Sequence, residues 1–272
     1  MKAVLRRGSL SAATVLGLCL ALAPAAQAHA QILVPCGNVT ALRNAINEAN
    51  STGEDITLAP SCTYKLTDYD SPGHGLPSIK ADVTINGFDT AIERDSTDSF
   101  RIFTVEPSGA LTLNRITVRN GNVSDDGGGI WNGGTLTVQS GAITGNTAIN
   151  GGGLFNASNA TATLSSTTVS DNHATTGDGG GILNAGTLRL NASAVQGNRA
   201  ADQGGGLGDF SPGRATLASS RVSGNSATLV SGGQGGGIWE NPGSTVTLLN
   251  TSVTANAGGE CRPPGSVPGC TG

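Results

Sequence analysis

Five copies of a glycine triplet followed by an aliphatic residue restrict this chain to a repeat architecture. They are Gly127-Gly128-Gly129-Ile130, Gly151-Gly152-Gly153-Leu154, Gly179-Gly180-Gly181-Ile182, Gly204-Gly205-Gly206-Leu207 and Gly235-Gly236-Gly237-Ile238. The last glycines of successive triplets lie 24, 28, 25 and 31 residues apart. A unit of that size cannot bury its own apolar face, so neighbouring units must close one another's core.

Each unit carries the alternation of a half-buried strand. In Gly133 to Asn146, Leu136 and Val138 alternate with Thr135 and Thr137, a polar break follows, and Ile143 supplies a second apolar point. From the threonine column to the closing asparagine the step is nine residues in Thr137/Asn146, Thr163/Asn172, Thr216/Asn225 and Thr247/Asn256, with Arg189 replacing threonine before Asn198. An earlier copy, Phe103 to Asn120, is one residue shorter across that step. Equivalent units superpose by translation, so equivalent strands lie side by side and parallel. The expected fold is all-β: a right-handed parallel β-helix of about eight coils spaced about 4.8 Å apart, its hand following the rule for parallel crossovers.

Stacking like on like predicts interior files Ile143/Val169/Val195/Val222/Val253 and Ile130/Leu154/Ile182/Leu207/Ile238. The file Asn146/Asn172/Asn198/Asn225/Asn256 is expected at a turn, where asparagine tolerates left-handed backbone and its amide can bond the next coil's amide. Neutral amides repeated in every coil read as a structural ladder. The triplets lack a phosphate-loop lysine and do not join a strand to a helix, so nucleotide binding is not supported.

Residues 1–28 have the form of a secretory signal: Lys2, Arg6 and Arg7, an apolar run from Leu10 to Pro24, then Ala26-Gln27-Ala28. The formal net charge of the chain is −4, and loss of three basic residues with that segment would leave −7. That balance opposes nucleic acid and anionic membranes as partners. No other segment is long and apolar enough to span a bilayer. Cys36, Cys62, Cys261 and Cys270 would remain, an even number suited to two disulfides. Of three pairings, 36–62 and 261–270 are local, whereas the others join opposite ends of the stack. A zinc site would want Cys-x-x-Cys, which does not occur.

The exposed strand edges at both ends need covers. Val39, Leu42, Ile46 and Ala49 recur at helical spacing within residues 39–50, which predicts an N-terminal capping helix. Arg262-Pro263-Pro264 and Pro268 are expected to stop the ladder at the other end. The organisation read from the sequence is thus signal 1–28, cap and first coil 29–66, β-helix 67–258 and disulfide loop 259–272.

The cycle GGGI-x-N, TLTV, GN-x-A resembles the repeat of polymorphic outer membrane proteins, within the pectin-lyase-like β-helix superfamily. The layout is also similar to small secreted β-helix proteins of actinobacteria, through Ala41-Leu42, Ala45-Ile46, Cys62-Thr63-Tyr64 and Leu76-Pro77-x-Ile79. The resemblance covers nearly all of residues 36–270. It implies an extracellular setting, and among its members are enzymes acting on acidic polysaccharides.

Such enzymes cluster charge on one outer face. Here the best acidic file, Asp126, Asn150, Asp178, Gln203 and Gln234, alternates acids with amides. A non-catalytic role without cofactor or metal is therefore expected, with a polysaccharide lyase or glycoside hydrolase as the alternative. The candidate binding residues follow the aliphatic after each triplet: Trp131, Phe155, Leu183, Gly208 and Trp239. If the aliphatics point inward, these point outward. They hold both tryptophans of a chain in which aromatics are only 3 % of residues. Such a row suits an extended polysaccharide or cell-surface component, bound by a secreted monomer. A third reading is ice binding by outward threonine pairs Thr135/Thr137, Thr161/Thr163 and Thr245/Thr247, with Thr112 and Thr216 in line, which Arg189 and Arg214 interrupt.

Overall fold

A computed structural model describes residues 31–228 and 235–270. The expected signal segment, with Cys19, and the position of Gln234 lie outside the described residues. The chain is a parallel β-solenoid of about nine turns, one more than the repeat count predicts. The strand Gln31–Val34, which pairs with Asp55–Leu58, contributes to this difference because its sequence carries no repeat signature.

Three parallel sheets make up most of the wall, and Gly73–His74 with Phe100–Arg101 form a fourth, two-stranded one. The largest bends at an elbow: Asp82–Arg94 and Ala110–Arg119 cross it unbroken, while later turns split there into pairs such as Thr135–Gln139 and Ala142–Thr144. A short sheet stacks Thr147–Ala148, His173–Ala174, Arg199–Ala200 and Ser226–Ala227. The third, called here the triplet sheet, runs Phe103–Val105, Ile130–Asn132, Leu154–Asn156, Ile182–Asn184, Leu207–Asp209, Ile238–Glu240 and Cys261–Arg262.

The registers place both apolar files as the repeat requires. Ile143, Val169, Val195, Val222 and Val253 are paired in sequence along one wall and buried. Ile130, Leu154, Ile182, Leu207 and Ile238 do the same on the triplet sheet, each fully buried. The middle and last glycines of each triplet sit where no side chain fits: a Cβ on Gly180 would lie 2.4 Å from the Arg199 carbonyl oxygen, and one on Gly181 2.7 Å from that of Gly206.

Both ends are covered. Helix α1, Val39–Thr52, starts on Asn38, whose Oδ1 accepts the Ala41 N–H at 2.9 Å, and ends on left-handed Gly53. It buries Leu42, Ala45, Ile46 and Ala49 against the first strands. Disulfides join Cys36 to Cys62 and Cys261 to Cys270. On a chain-entropy basis they constrain the unfolded chain by about 3.5 and about 2.7 kcal/mol. The C-terminal loop does not stop the ladder at once: Cys261–Arg262 first adds a strand to Ile238–Trp239, and the prolines begin only after it. Among the described residues no helix is long and apolar enough to cross a membrane.

Candidate functional site

The outward file of the triplet sheet is continuous in register: Thr104, Trp131, Phe155, Leu183, Gly208, Trp239 and Arg262. Trp131, Phe155 and Trp239 are half-buried, and Leu183 is buried. At two turns the strip packs against the neighbouring column. The Trp131 ring lies over Gly133, where a Cβ would meet Cζ3 and Cη2 at 2.6 and 2.7 Å. At Gly208 the arrangement reverses, since Phe210 from that neighbouring column brings Cε2 to 3.0 Å from where a Cβ would be. Phe210 thus fills the gap in the strip, a role its irregular spacing hides in the sequence.

A polar cluster heads the strip. Thr104 Oγ1 and His74 Nδ1 lie 2.7 Å apart, and His74 pairs in register with Arg101. Arg101 is buried and bonds Asp125 through Nη2 at 2.7 Å. Burial, then the Arg101 charge, hold the His74 imidazole below its ordinary value. The sequence places His74 in a glycine-flanked loop and gives no sign of this contact.

The acidic file beside the strip is a ladder of its own. Asn150 Nδ2 donates to Asp126 Oδ1 (2.8 Å), the Asp178 N–H donates to Asn150 Oδ1 (2.9 Å) and the Gln203 N–H donates to Asp178 Oδ1 (2.8 Å). Half-burial raises the Asp126 carboxyl and pushes Asp178 up to about 6. Each acid thus holds the next turn in place. Among the described residues no group of three His, Cys, Asp or Glu side chains is placed to hold a metal ion.

Inside the same sheet runs a second amide ladder. Asn132 Nδ2 donates to Asn156 Oδ1 at 2.7 Å, Asn156 Nδ2 to Asn184 Oδ1 at 2.7 Å, and Asn184 Nδ2 to Asp209 Oδ1 at 2.5 Å. The next turn puts Glu240 in register with Asp209. Asp209 is fully buried, and its Oδ2 and Glu240 Oε2 are buried without hydrogen-bond partners among the described residues. Burial first, and Glu240 beside it, push the Asp209 carboxyl up to about 7; burial raises Glu240 too.

The expected asparagine ladder is present, with one change. Nδ2 of Asn146, Asn172, Asn198 and Asn225 each donates to the next Oδ1 at 2.9 Å. The left-handed residue is the one before the asparagine: Gly145, Asp171, Gly197, Gly224 and Ala255. Asn120 falls in that column with φ 61°, and Gly121 takes the ladder position, its N–H donating to Asn146 Oδ1 at 2.8 Å. The short step of the first copy is therefore the usual step, counted to the wrong residue.

A hydroxyl ladder follows the elbow. The N–H groups of Thr167, Ser193 and Ser220 donate to the hydroxyls of Ser193, Ser220 and Thr251, each at 3.1 Å. The outward threonines Thr112, Thr137 and Thr163 align with Arg189, Thr216 and Thr247, and Arg189 is exposed.

These sheets and ladders define the class, a parallel β-solenoid. No family model matches the chain, and neither a curated protein nor a solved structure is significantly similar to it.

Proposed function

We propose that this is a non-catalytic extracellular binding module that lays an extended glycan, or a cell-surface component of like chemistry, along the triplet-sheet strip. The observation that carries this reading is the register of Trp131, Phe155, Leu183, the Phe210-covered Gly208 and Trp239, one apolar outward position per turn. At about 4.8 Å per turn the row spans about 19 Å. Its half-buried rings keep part of their surface in water, and apolar sugar faces stack on such surfaces. His74, half-buried beside Thr104, supplies a polar group at one end.

Asp126, Asp178 and Asp209 hold neighbouring turns together, which favours a scaffold over an acid–base machine. The resemblance of the repeat to pectin-lyase-like proteins supports the extracellular setting, as do two disulfides. Exposed Arg189 and Arg214 within the threonine rows speak against ice binding. The test is retention on insoluble polysaccharides and cell walls by wild type and by Trp131→Ala with Trp239→Ala. Each tryptophan is expected to contribute about tenfold. Unchanged retention, or tryptophan fluorescence that an aqueous quencher cannot reach, refutes the reading.

A further inference from the structure

On the elbow, the turn of Asp82–Arg94 carries residues that the next turn lacks. Asn86 pairs with Asn114 and Thr90 with Ile116, so Gly87, Phe88 and Asp89 stand opposite the single residue Arg115. The bulge is anchored. The Phe88 N–H donates to Thr90 Oγ1 (3.2 Å), the Ser61 N–H donates to the Phe88 carbonyl (2.8 Å), and Thr90 Oγ1 donates to the Ala59 carbonyl (3.1 Å). A Cβ on Gly87 would lie 2.8 Å from Ile116 Cγ1, so the loop is seated tightly against the wall. Phe88 is nonetheless 58 % exposed. A bulge that re-aims a side chain in this way is a built feature of a sheet.

Arg115 completes the arrangement. Its Cζ sits 5.3 Å from the centre of the Phe88 ring, a contact that orients the guanidinium plane. Among the described residues its side chain takes part in none of the ion pairs and donates no hydrogen bond. Two shallow clefts of about 380 and 360 Å³ flank it. The first is lined by Asn86, Asn114 and Gln139, the second by Phe88, Asp89 and Thr117.

We propose that this bulge is a second saccharide-binding site, taking a neutral sugar ring and lying on a different face from the aromatic strip. Arg115 only donates and Asp89 only accepts, while the amides of Asn86, Asn114 and Gln139 do both. The complement of that set is a group whose members donate and accept at once, which is a row of hydroxyls. Phe88 offers an apolar face beside them. The Asp89 charge offsets Arg115 and disfavours an anionic sugar.

The test titrates neutral oligomers of glucose, mannose, xylose and galactose, with a galacturonate oligomer as the charged comparison. The readout is the backbone amide signals of Gly87, Phe88 and Asp89 by NMR. A neutral oligomer is expected to shift them, with about tenfold weaker binding in Phe88→Ala and in Arg115→Gln. Both side chains are exposed, so the variants are expected to fold. Trp131→Ala is expected to leave these shifts intact, which separates this site from the strip. Absence of shifts with every neutral oligomer overturns the proposal, as does preference for galacturonate or shifts abolished by Trp131→Ala.

Discussion

Two buried amide ladders run the length of the later turns, and they finish differently. The elbow-side ladder keeps asparagine to its last rung, where Asn256 Nδ2 donates to Glu260 Oε2 at 2.6 Å, a half-buried carboxylate supplied by the C-terminal segment. The triplet-sheet ladder changes from amide to acid two turns earlier, at Asp209, and stacks Glu240 on it. An amide rung both donates and accepts, so each turn satisfies the next. An acid rung can only accept, unless it keeps a proton. The first ladder therefore reaches its end in full hydrogen-bond balance, while the second leaves two buried carboxyl oxygens without partners. Repetition stabilises a solenoid only while the repeated group can play both roles.

The comparison breaks most sharply in the middle of the first ladder. Asn198→Ala removes at once the acceptor of the Asn172 backbone N–H, the acceptor of one side-chain N–H of Asn172, and the donor to the Val169 carbonyl. Denaturant unfolding should show a loss of about 3–5 kcal/mol. A loss under 1 kcal/mol, roughly that of a surface change, would mean the ladder is incidental.

The second ladder should respond to pH. Asp209 in the folded chain has its carboxyl at about 7, above its ordinary 3.8. The native state therefore holds a proton that the unfolded chain releases. The resulting stabilisation is complete below about pH 4 and is lost as pH rises through about 7. Unfolding free energies measured at about pH 5 and about pH 8 should differ by about 2–4 kcal/mol, with the protein less stable at the higher pH. Asp209→Asn carries the amide pattern one turn further and should remove the larger part of that slope. Asp178, whose carboxyl lies at about 6, acts with the same sign, while His74 and His173, held below their ordinary value by burial, act with the opposite sign. An unchanged slope in this variant would show that the acid rung is not the origin.

Smaller effects sharpen the ends of the first ladder. A Cβ on Gly121 would lie within 1.9 Å of the Gly128 carbonyl oxygen, so Gly121→Ala should cost about 1–3 kcal/mol by thermal unfolding. Glu260→Ala removes one of three acceptors of the last amide, which keeps the Val222 and Thr254 carbonyls and lies next to solvent, where water can replace the carboxylate. Its expected cost is about 1 kcal/mol, and hydrogen exchange should quicken first at Asn256.

The ladder and both apolar files were legible because each column holds one residue type at constant spacing. Trp131, Phe155 and Trp239 stood out by their fixed place after the aliphatic of each triplet, although their column changes residue type and their half-burial was not legible. Other columns that change residue type were not legible. Asn132, Asn156 and Asn184 stand in the GGGI-x-N motif, but the substitutions at Asp209 and Glu240 disguise them as a variable position. Thr167, Ser193, Ser220 and Thr251 share only a hydroxyl. Phe88, His74 and Arg101 belong to early turns whose copies are too divergent to align, so only the register sets Phe88 opposite Arg115 and His74 beside Arg101.

The direction of donation in the first ladder has a consequence for the whole rod. Every side-chain amide from Asn146 to Asn256 accepts from the N-terminal side and passes one N–H toward the C-terminal end, the other bonding a carbonyl of the preceding turn. Their dipoles therefore add, as peptide dipoles add along an α-helix. The positive pole of that column falls at Asn256, and the Glu260 carboxylate sits on it as an acid sits at the start of a helix. The closing segment is held electrostatically as well as by its disulfide.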